Sequence, residues 1–242
     1  MAGIEVHLAI ADKIYFILGN NTIKNLPLFF GGNIAPDAVH MKKDYQRLYK
    51  KRSHLTEGIR HYGYGDPVMD KLFIDRINEF IKNYYLTAGE DKDLYLGYII
   101  HLLTDKFNSR MVYKRLEEHL KNNGTDPDEP GFRKNLTDIV DKGVYNDFFE
   151  DGTYNISPHK YQFKQNVVDV LEAAQDYEVK DYISADEINM EKRWVIDTYF
   201  KSEPIQDDTI NYDKYKAETF VDLAAENIIA SLSGKNDIIK IL

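Results

Sequence analysis

Apolar residues recur along most of the chain at the three- and four-residue spacing of an α-helix, and no segment shows sustained apolar–polar alternation. The clearest stripe covers residues 4–18, and Gly19-Asn20 is expected to end it. The pattern predicts helices over residues 4–18, 67–86, 91–122, 130–149, 159–177, 184–200 and 212–233. It therefore predicts an all-α fold, in which residues 1–242 form one domain, a single multi-helix bundle.

Polar and conformationally special residues mark where these elements should begin and end. Asp66-Pro67 is typical of a helix start, and Ser184 to Glu187 has the spacing of a capping box. The segment GGNIAPDAVH, residues 31–40, follows a short apolar element at residues 22–30 and contains two glycines and a proline. This composition predicts a loop over residues 31–40.

Charge and composition narrow the classes of function. The chain of 242 residues has a net charge of −9, which argues against a general electrostatic grip on nucleic acid or on anionic membrane. It contains no cysteine, so a bound metal ion would need His, Asp and Glu ligands. Glu5, His7 and Asp12 interrupt the apolar residues of MAGIEVHLAIADK, so we expect neither a signal peptide nor an integral membrane span. The expected location is cytoplasmic.

The stretch LGYIIHLLTD, residues 96–105, places an imidazole and a carboxylate inside a strongly apolar helix. His101 and Asp105 are four residues apart, so their side chains are neighbours on one helix face and could close on one ion. For an isolated HxxxD pattern, a buried hydrogen-bonded pair or a solvent-facing aspartate is the commoner explanation. Gly97, one turn before His101 on the same face, would let another backbone approach closely.

Four further residues become candidates only when they are considered together. His7 lies on the apolar face of the first helix, where a lone histidine is usually a core residue bonded to a carbonyl. Asp37 and His40 lie in the Gly-rich segment, where turn and N-cap roles are common, and His54 alone would be a surface residue. Metal sites in helical bundles are built from histidines and carboxylates that face each other across the core. We therefore expect a site between the N-terminal helix and the central HxxxD helix.

Taken in chain order, His7, GNIAPDAVH, SHL and LGYIIHLLTD resemble the zinc-dependent phospholipase C family. That family includes bacterial phosphatidylcholine-hydrolysing phospholipases and fungal single-strand nucleases. The shared order is a histidine near the N-terminus, an aspartate in a loop, a histidine, and then HxxxD on a central helix. The resemblance covers the chain from His7 to Asp105.

The resemblance implies a zinc site and assigns its ligands. In that family the HxxxD histidine binds one zinc and the aspartate bridges two, so His101 would be a ligand and Asp105 the bridge. Asp37 and His54 would complete the first metal position, and His7 would hold the second. Zinc accepts nitrogen and carboxylate oxygen donors, and another divalent metal would be compatible with the same set.

Two positions depart from the family pattern. Extracellular members begin with a tryptophan whose amine and carbonyl bind metal, whereas this chain begins Met1-Ala2-Gly3 and has its only tryptophan at Trp194. His40 is the candidate for that vacant coordination position. Those members also carry a histidine six residues after the HxxxD aspartate, where this chain has Met111. We therefore expect one or two ions and not three.

The implied activity is hydrolysis of a small-molecule or phospholipid-like phosphoester by metal-activated water. Asp37 could bind metal or orient the water, and His40 could protonate the leaving alkoxide. Between Asp37 and His54 lies a basic stretch that is more simply a solvated surface than a phosphate-steering one. Its members are Lys42, Lys43, Arg47, Lys50, Lys51 and Arg52.

Three alternatives to a phosphoester hydrolase stay open. The first is a metal hydrolase of another ester or an amide, because metal chemistry does not choose the substrate. The second is a degenerate metal-binding protein with a regulatory or binding role, which the missing tryptophan and Met111 favour. The third is a structural helical protein in which His101 and Asp105 form a core pair. An HD-type phosphohydrolase is disfavoured, since the chain contains no adjacent His-Asp dipeptide.

Overall fold

Eight α-helices form the described part of the chain in this computed structural model, joined in places by short 3₁₀ and π segments. The structure describes residues 3–59, 66–113, 118, 121–122, 124, 163–175, 177–201 and 217–242. Within these ranges there is no β-strand, and the only β pairing is an isolated bridge between Val179 and Ile183. The α-helices are α1 Ile4–Leu18, α2 Leu26–Ile34, α3 Arg47–Ser53, α4 Pro67–Phe80, α5 Lys92–Asn108, α6 Phe163–Ala173, α7 Ala185–Asp197 and α8 Ala217–Leu232.

The all-α prediction is confirmed, and several predicted boundaries are reproduced. Helix α1 ends at Gly19, which adopts a φ of 66° that favours glycine. Helix α7 begins with the predicted capping box, in which Ser184 and Glu187 each accept a hydrogen bond from the other's backbone N–H. The predicted helix over residues 130–149 lies outside the described residues.

The long helix predicted over residues 91–122 is helical wherever it is described, including residues 118, 121 and 122, but it is not one regular α-helix. Helix α5 ends at Asn108, and a π-helical turn follows over Ser109–Tyr113. Helix α4 likewise continues into a π-helical turn over Ile81–Tyr85. Apolar periodicity does not distinguish these turns from α-helix, because both keep the side chains on a helical surface.

The prediction of a loop over residues 31–40 is wrong. Helix α2 runs through both glycines to Ile34, and a 3₁₀ helix continues it over Ala35–Met41. The side chain of Asn25 accepts a hydrogen bond from Leu28 N–H and caps the start of α2. The low helix propensity of glycine is overridden by tertiary packing, because Gly32 permits a close contact with α5 and Gly31 leaves room for the side chain of Tyr177.

Helices α2 and α5 approach each other backbone to backbone. A Cβ atom added at Gly97 would lie 2.0 Å from the carbonyl oxygen of Phe29, and one added at Gly32 would lie 1.9 Å from that of Leu94. No side chain larger than hydrogen fits at either position without a shift of backbone. The contact brings the end of α2, and the 3₁₀ helix after it, against the middle of α5.

Helix α5 is the central element of the bundle. All of its residues except Lys92 and Phe107 are buried, and it packs against α1, α2 and α8. One contiguous apolar core extends from Ile4 in α1 to Ile238 after α8. Within the described ranges, no helix combines the length and the apolar composition that a bilayer span requires.

The close contact between α2 and α5 predicts the effect of one methyl group. Gly97→Ala should lower the free energy of unfolding by about 1–3 kcal/mol, because the added Cβ overlaps the Phe29 carbonyl. The matched control is Gly3→Ala, whose added Cβ would meet its nearest heavy atom at an ordinary 3.6 Å. Urea unfolding of both variants measures the difference. A Gly97→Ala protein as stable as the control would contradict the close backbone contact.

Candidate metal centre

Five side chains from four parts of the fold converge in the core. His7 comes from α1, Asp37 from the 3₁₀ helix after α2, His54 from the end of α3, and His101 and Asp105 from α5. Their potential ligand atoms form two groups that share His101, and within each group these atoms lie within 4.8 Å of one another. The groups are His7, His101 and Asp105, and Asp37, His54 and His101.

The ligand atoms around His54 are close enough to it to share one ion. Nε2 of His54 lies 3.3 Å from Oδ1 of Asp37 and 3.2 Å from Nε2 of His101. The same nitrogen lies 3.5 Å from Oδ2 of Asp105. Ligands at zinc bond lengths around a tetrahedral ion are separated from one another by about 3.4 Å. Nε2 of His101 lies 4.0 Å from Oδ2 of Asp37, the other oxygen of that carboxylate.

Hydrogen bonds fix the orientation of the two central imidazoles. Nδ1 of His101 lies 2.7 Å from the carbonyl oxygen of Asn33, and Nδ1 of His54 lies 3.0 Å from that of Lys50. A ring that donates its Nδ1 proton to a carbonyl keeps the lone pair on Nε2, which in both cases points into the cluster. The hydroxyl of Ser53 donates to the carbonyl of Pro36, so the end of α3 is tied to the turn that carries Asp37.

The protonation states of the cluster suit a cation. Burial holds the pKa of the His101 imidazole well below its usual range, so this ring is neutral. Burial by itself would raise the pKa of Asp37, but the Lys50 ammonium and a hydrogen bond with His54 outweigh it and hold that pKa well below its usual range. The pKa of Asp105 is also lowered, because contact with His7 outweighs the effect of burial. A neutral imidazole and ionised carboxylates are the forms that bind a metal ion.

His7 defines a second, less complete position. Its ring stacks in parallel on that of His101 at 3.6 Å between centroids, and its Nε2 lies 3.5 Å from Oδ1 of Asp105. The ring is fully buried, yet among the described residues neither of its nitrogens has a hydrogen-bond partner. An unpartnered buried imidazole is costly, which is consistent with a missing ligand. His101 has one free nitrogen and can serve one ion, so the second position has only His7 and Asp105 of its own.

The structure does not bring His40 into either group. His40 is exposed on the 3₁₀ helix, and its ring makes an edge contact with Tyr45 at 4.9 Å between centroids. His40 therefore does not occupy a coordination position in the cluster as it stands. The remaining histidines lie outside the described residues and are His61, His119 and His159.

The basic stretch before His54 is not a uniform charged surface. Lys42 pairs with Glu187 and Arg52 contacts Glu57, so these charges are partly balanced locally. Lys50 points inward, and its Nζ lies 2.8 Å from Oδ1 of Asp37. The sequence pattern alone did not separate this lysine from its neighbours.

Glu191 is a second residue that sequence analysis missed. It is 3% exposed, and its Oε2 has no hydrogen-bond partner among the described residues. Burial and then the negative charge of Asp37 raise the pKa of Glu191 to about 8. Its spacing of three from Ile188 and four from Val195 places it on the buried face of α7, and this was the available signal.

Comparisons of the chain with protein-family models, with curated proteins and with solved structures find no match. The protein can therefore be classified only by its fold and by the geometry of its site. The chain is an all-α bundle with a buried His and Asp cluster that could bind a metal ion.

The environment of Glu191 predicts a pH-dependent stability difference in protein treated with a chelator. The unfolded carboxyl ionises near pH 4.5 and the folded one near 8, so wild-type stability should fall between these values as pH rises. Glu191→Gln removes this loss and should gain on the order of 2 kcal/mol relative to wild type between pH 5 and pH 7. Urea unfolding at both pH values measures this gain.

The matched control for this prediction is Glu172→Gln, at an exposed position on α6. Its stability difference from wild type should be the same at both pH values, because the Glu172 side chain is exposed to solvent in the folded protein as it is in the unfolded chain. A Glu191→Gln difference that does not change with pH would contradict the raised pKa.

Proposed function

We propose that this protein is a metal-dependent hydrolase of ester bonds, with a phosphoester as the preferred substrate class. The observation that carries the proposal is the convergence of Asp37, His54 and His101, whose ligand atoms lie within 4.8 Å of one another, with Oδ2 of Asp105 3.5 Å from Nε2 of His54. The resemblance to zinc-dependent phospholipases C supports zinc as the ion and the phosphoester as the bond. That family also suggests a second ion at His7.

Different residues of the chain would bind the ion, orient the water and transfer the proton. A divalent ion at this position would supply Lewis acidity and a bound water whose pKa is near neutral. His54 and His101 would hold it, with their rings fixed by the carbonyls of Lys50 and Asn33. Asp37 is the most exposed of the ligands and is proposed to orient the attacking water. His40, three residues further on, is proposed to carry the proton to the leaving group.

A metal-binding protein without hydrolytic activity is the second candidate, and burial of the cluster favours it. The side chains of His7 and His101 are 0% exposed, that of His54 3% and that of Asp105 5%. Among the described residues, the approach of a substrate to the ion passes Asp37 and its neighbours. A regulatory or binding role would need the ion and not this access.

Metal content tests both candidates against a purely structural cluster. The protein is purified without chelator or added metal, and zinc, iron, manganese and nickel are measured per chain. We expect about one ion per chain in the wild type, and His101→Ala and Asp105→Ala should each lower the metal affinity by more than about tenfold. His40→Ala is the matched control, because His40 lies outside both ligand groups and should leave the content unchanged. Absence of metal from the wild type would remove the basis of the proposal.

Activity of the loaded protein separates the hydrolase from the binding protein. The substrates are chromogenic phosphodiesters, phosphomonoesters and carboxylic esters, together with short-chain phosphatidylcholine. We expect turnover of at least one phosphoester, and loss of that turnover in His101→Ala. Turnover of carboxylic esters alone would move the assignment to a different ester bond. Stoichiometric metal with no turnover of any of these substrates would favour the binding protein.

A further inference from the structure

The buried cluster opens to solvent on one side. The side chains of Asp37 and Lys50 are each 13% exposed, whereas the other cluster side chains are at most 5% exposed. Among the described residues, the approach to the candidate ion therefore passes the Asp37 carboxylate and the Lys50 ammonium. A ligand that reaches the ion meets this pair first.

Lys50 supports the cluster through two separate groups. Its carbonyl lies 3.0 Å from Nδ1 of His54, and its Nζ lies 2.8 Å from Oδ1 of Asp37. An ammonium group has three donors, and within the described part of the chain only Asp37 is bonded to this one. Two donors are therefore available to a ligand on the open side.

The charges of the cluster select an anion once a metal ion is present. Asp37 and Asp105 contribute two negative charges and Lys50 one positive charge, so a divalent ion leaves one positive charge in total. In addition, an ion bound to Asp37 neutralises part of its negative charge. The attraction between that carboxylate and the Lys50 ammonium then becomes weaker. Metal binding should thus make Lys50 a better anion donor.

We propose that Lys50 is the ligand-binding cation of this site, and that it anchors a phosphate oxygen of the ligand beside the metal ion. The inference rests on the proposed metal site and deepens it. The shared chemistry of the ligand is a tetrahedral phosphate group with oxygens free to accept, as in a small phosphoester or a phospholipid head group. Lysine suits this role as a compact point charge with three donors.

The test compares phosphate binding in matched variants of the zinc-loaded protein. Lys50→Met keeps the length of the side chain and removes its charge, and Lys50→Arg keeps the charge. Lys51→Met removes the neighbouring charge, which has no ion-pair partner in the described ranges and does not contact the cluster. Zinc content is measured first, and the dissociation constant of inorganic phosphate is then measured by calorimetry.

We expect equal zinc content in all four proteins. Lys50→Met should weaken phosphate binding roughly tenfold or more, because a charge-assisted hydrogen bond is lost. Lys50→Arg and Lys51→Met should stay within about threefold of wild type, since each retains a cation at position 50. Competition against bound phosphate then identifies the source of the group. Displacement of bound phosphate by glycerol phosphate indicates a small phosphoester, and displacement by phosphatidylcholine vesicles indicates a lipid.

Failure of this inference and failure of the proposed function give different results. Unchanged phosphate affinity in zinc-loaded Lys50→Met overturns the anchoring role and leaves the metal site intact. Zinc loss in Lys50→Met also overturns it, because Lys50 would then act only by holding Asp37. Zinc-loaded wild type that binds no phosphate overturns the anchor and leaves other esters as substrates. A wild type that binds no divalent metal overturns the proposed function together with the anchor.

Discussion

The close contact between α2 and α5 is the constraint on which the rest of the site depends. Two helix backbones can approach this closely only because Gly32 and Gly97 carry no Cβ atoms. The contact places the carbonyl of Asn33, near the end of α2, 2.7 Å from Nδ1 of His101. It also sets the position of the 3₁₀ helix that carries Asp37. The packing of these two helices thus orients the imidazole of His101 and places the carboxylate of Asp37 near it.

Burial of the cluster in an apolar core is unfavourable in free energy. Two carboxylates and three imidazoles are removed from water, and a buried charge is tolerated only when it is paired. Lys50 provides part of the pairing through Asp37, and the imidazoles provide more through their contacts with both carboxylates. The nitrogens of His7 are still without hydrogen-bond partners among the described residues. A divalent ion would offset this residual cost, which is why we interpret the arrangement as a binding site.

The fold and the site differ in how far the sequence predicts them. The helical period places His7, His101 and Asp105 on inward faces, because it records which side of a helix is apolar. It does not record which helices face each other. The convergence of Asp37 and His54 with these residues could therefore be predicted only from the resemblance in motif order.

Other features were outside the reach of pattern analysis. Local propensity makes residues 31–40 a loop, whereas tertiary packing makes all of them helical. Lys50 differs from its basic neighbours only through tertiary contacts, so no local signal marks it. The most direct test of the metal site is X-ray diffraction from crystals grown with zinc, measured on both sides of the zinc absorption edge. We predict an anomalous peak bonded to Nε2 of His54 and Nε2 of His101. Anomalous peaks confined to surface residues, with none in the core, would contradict it.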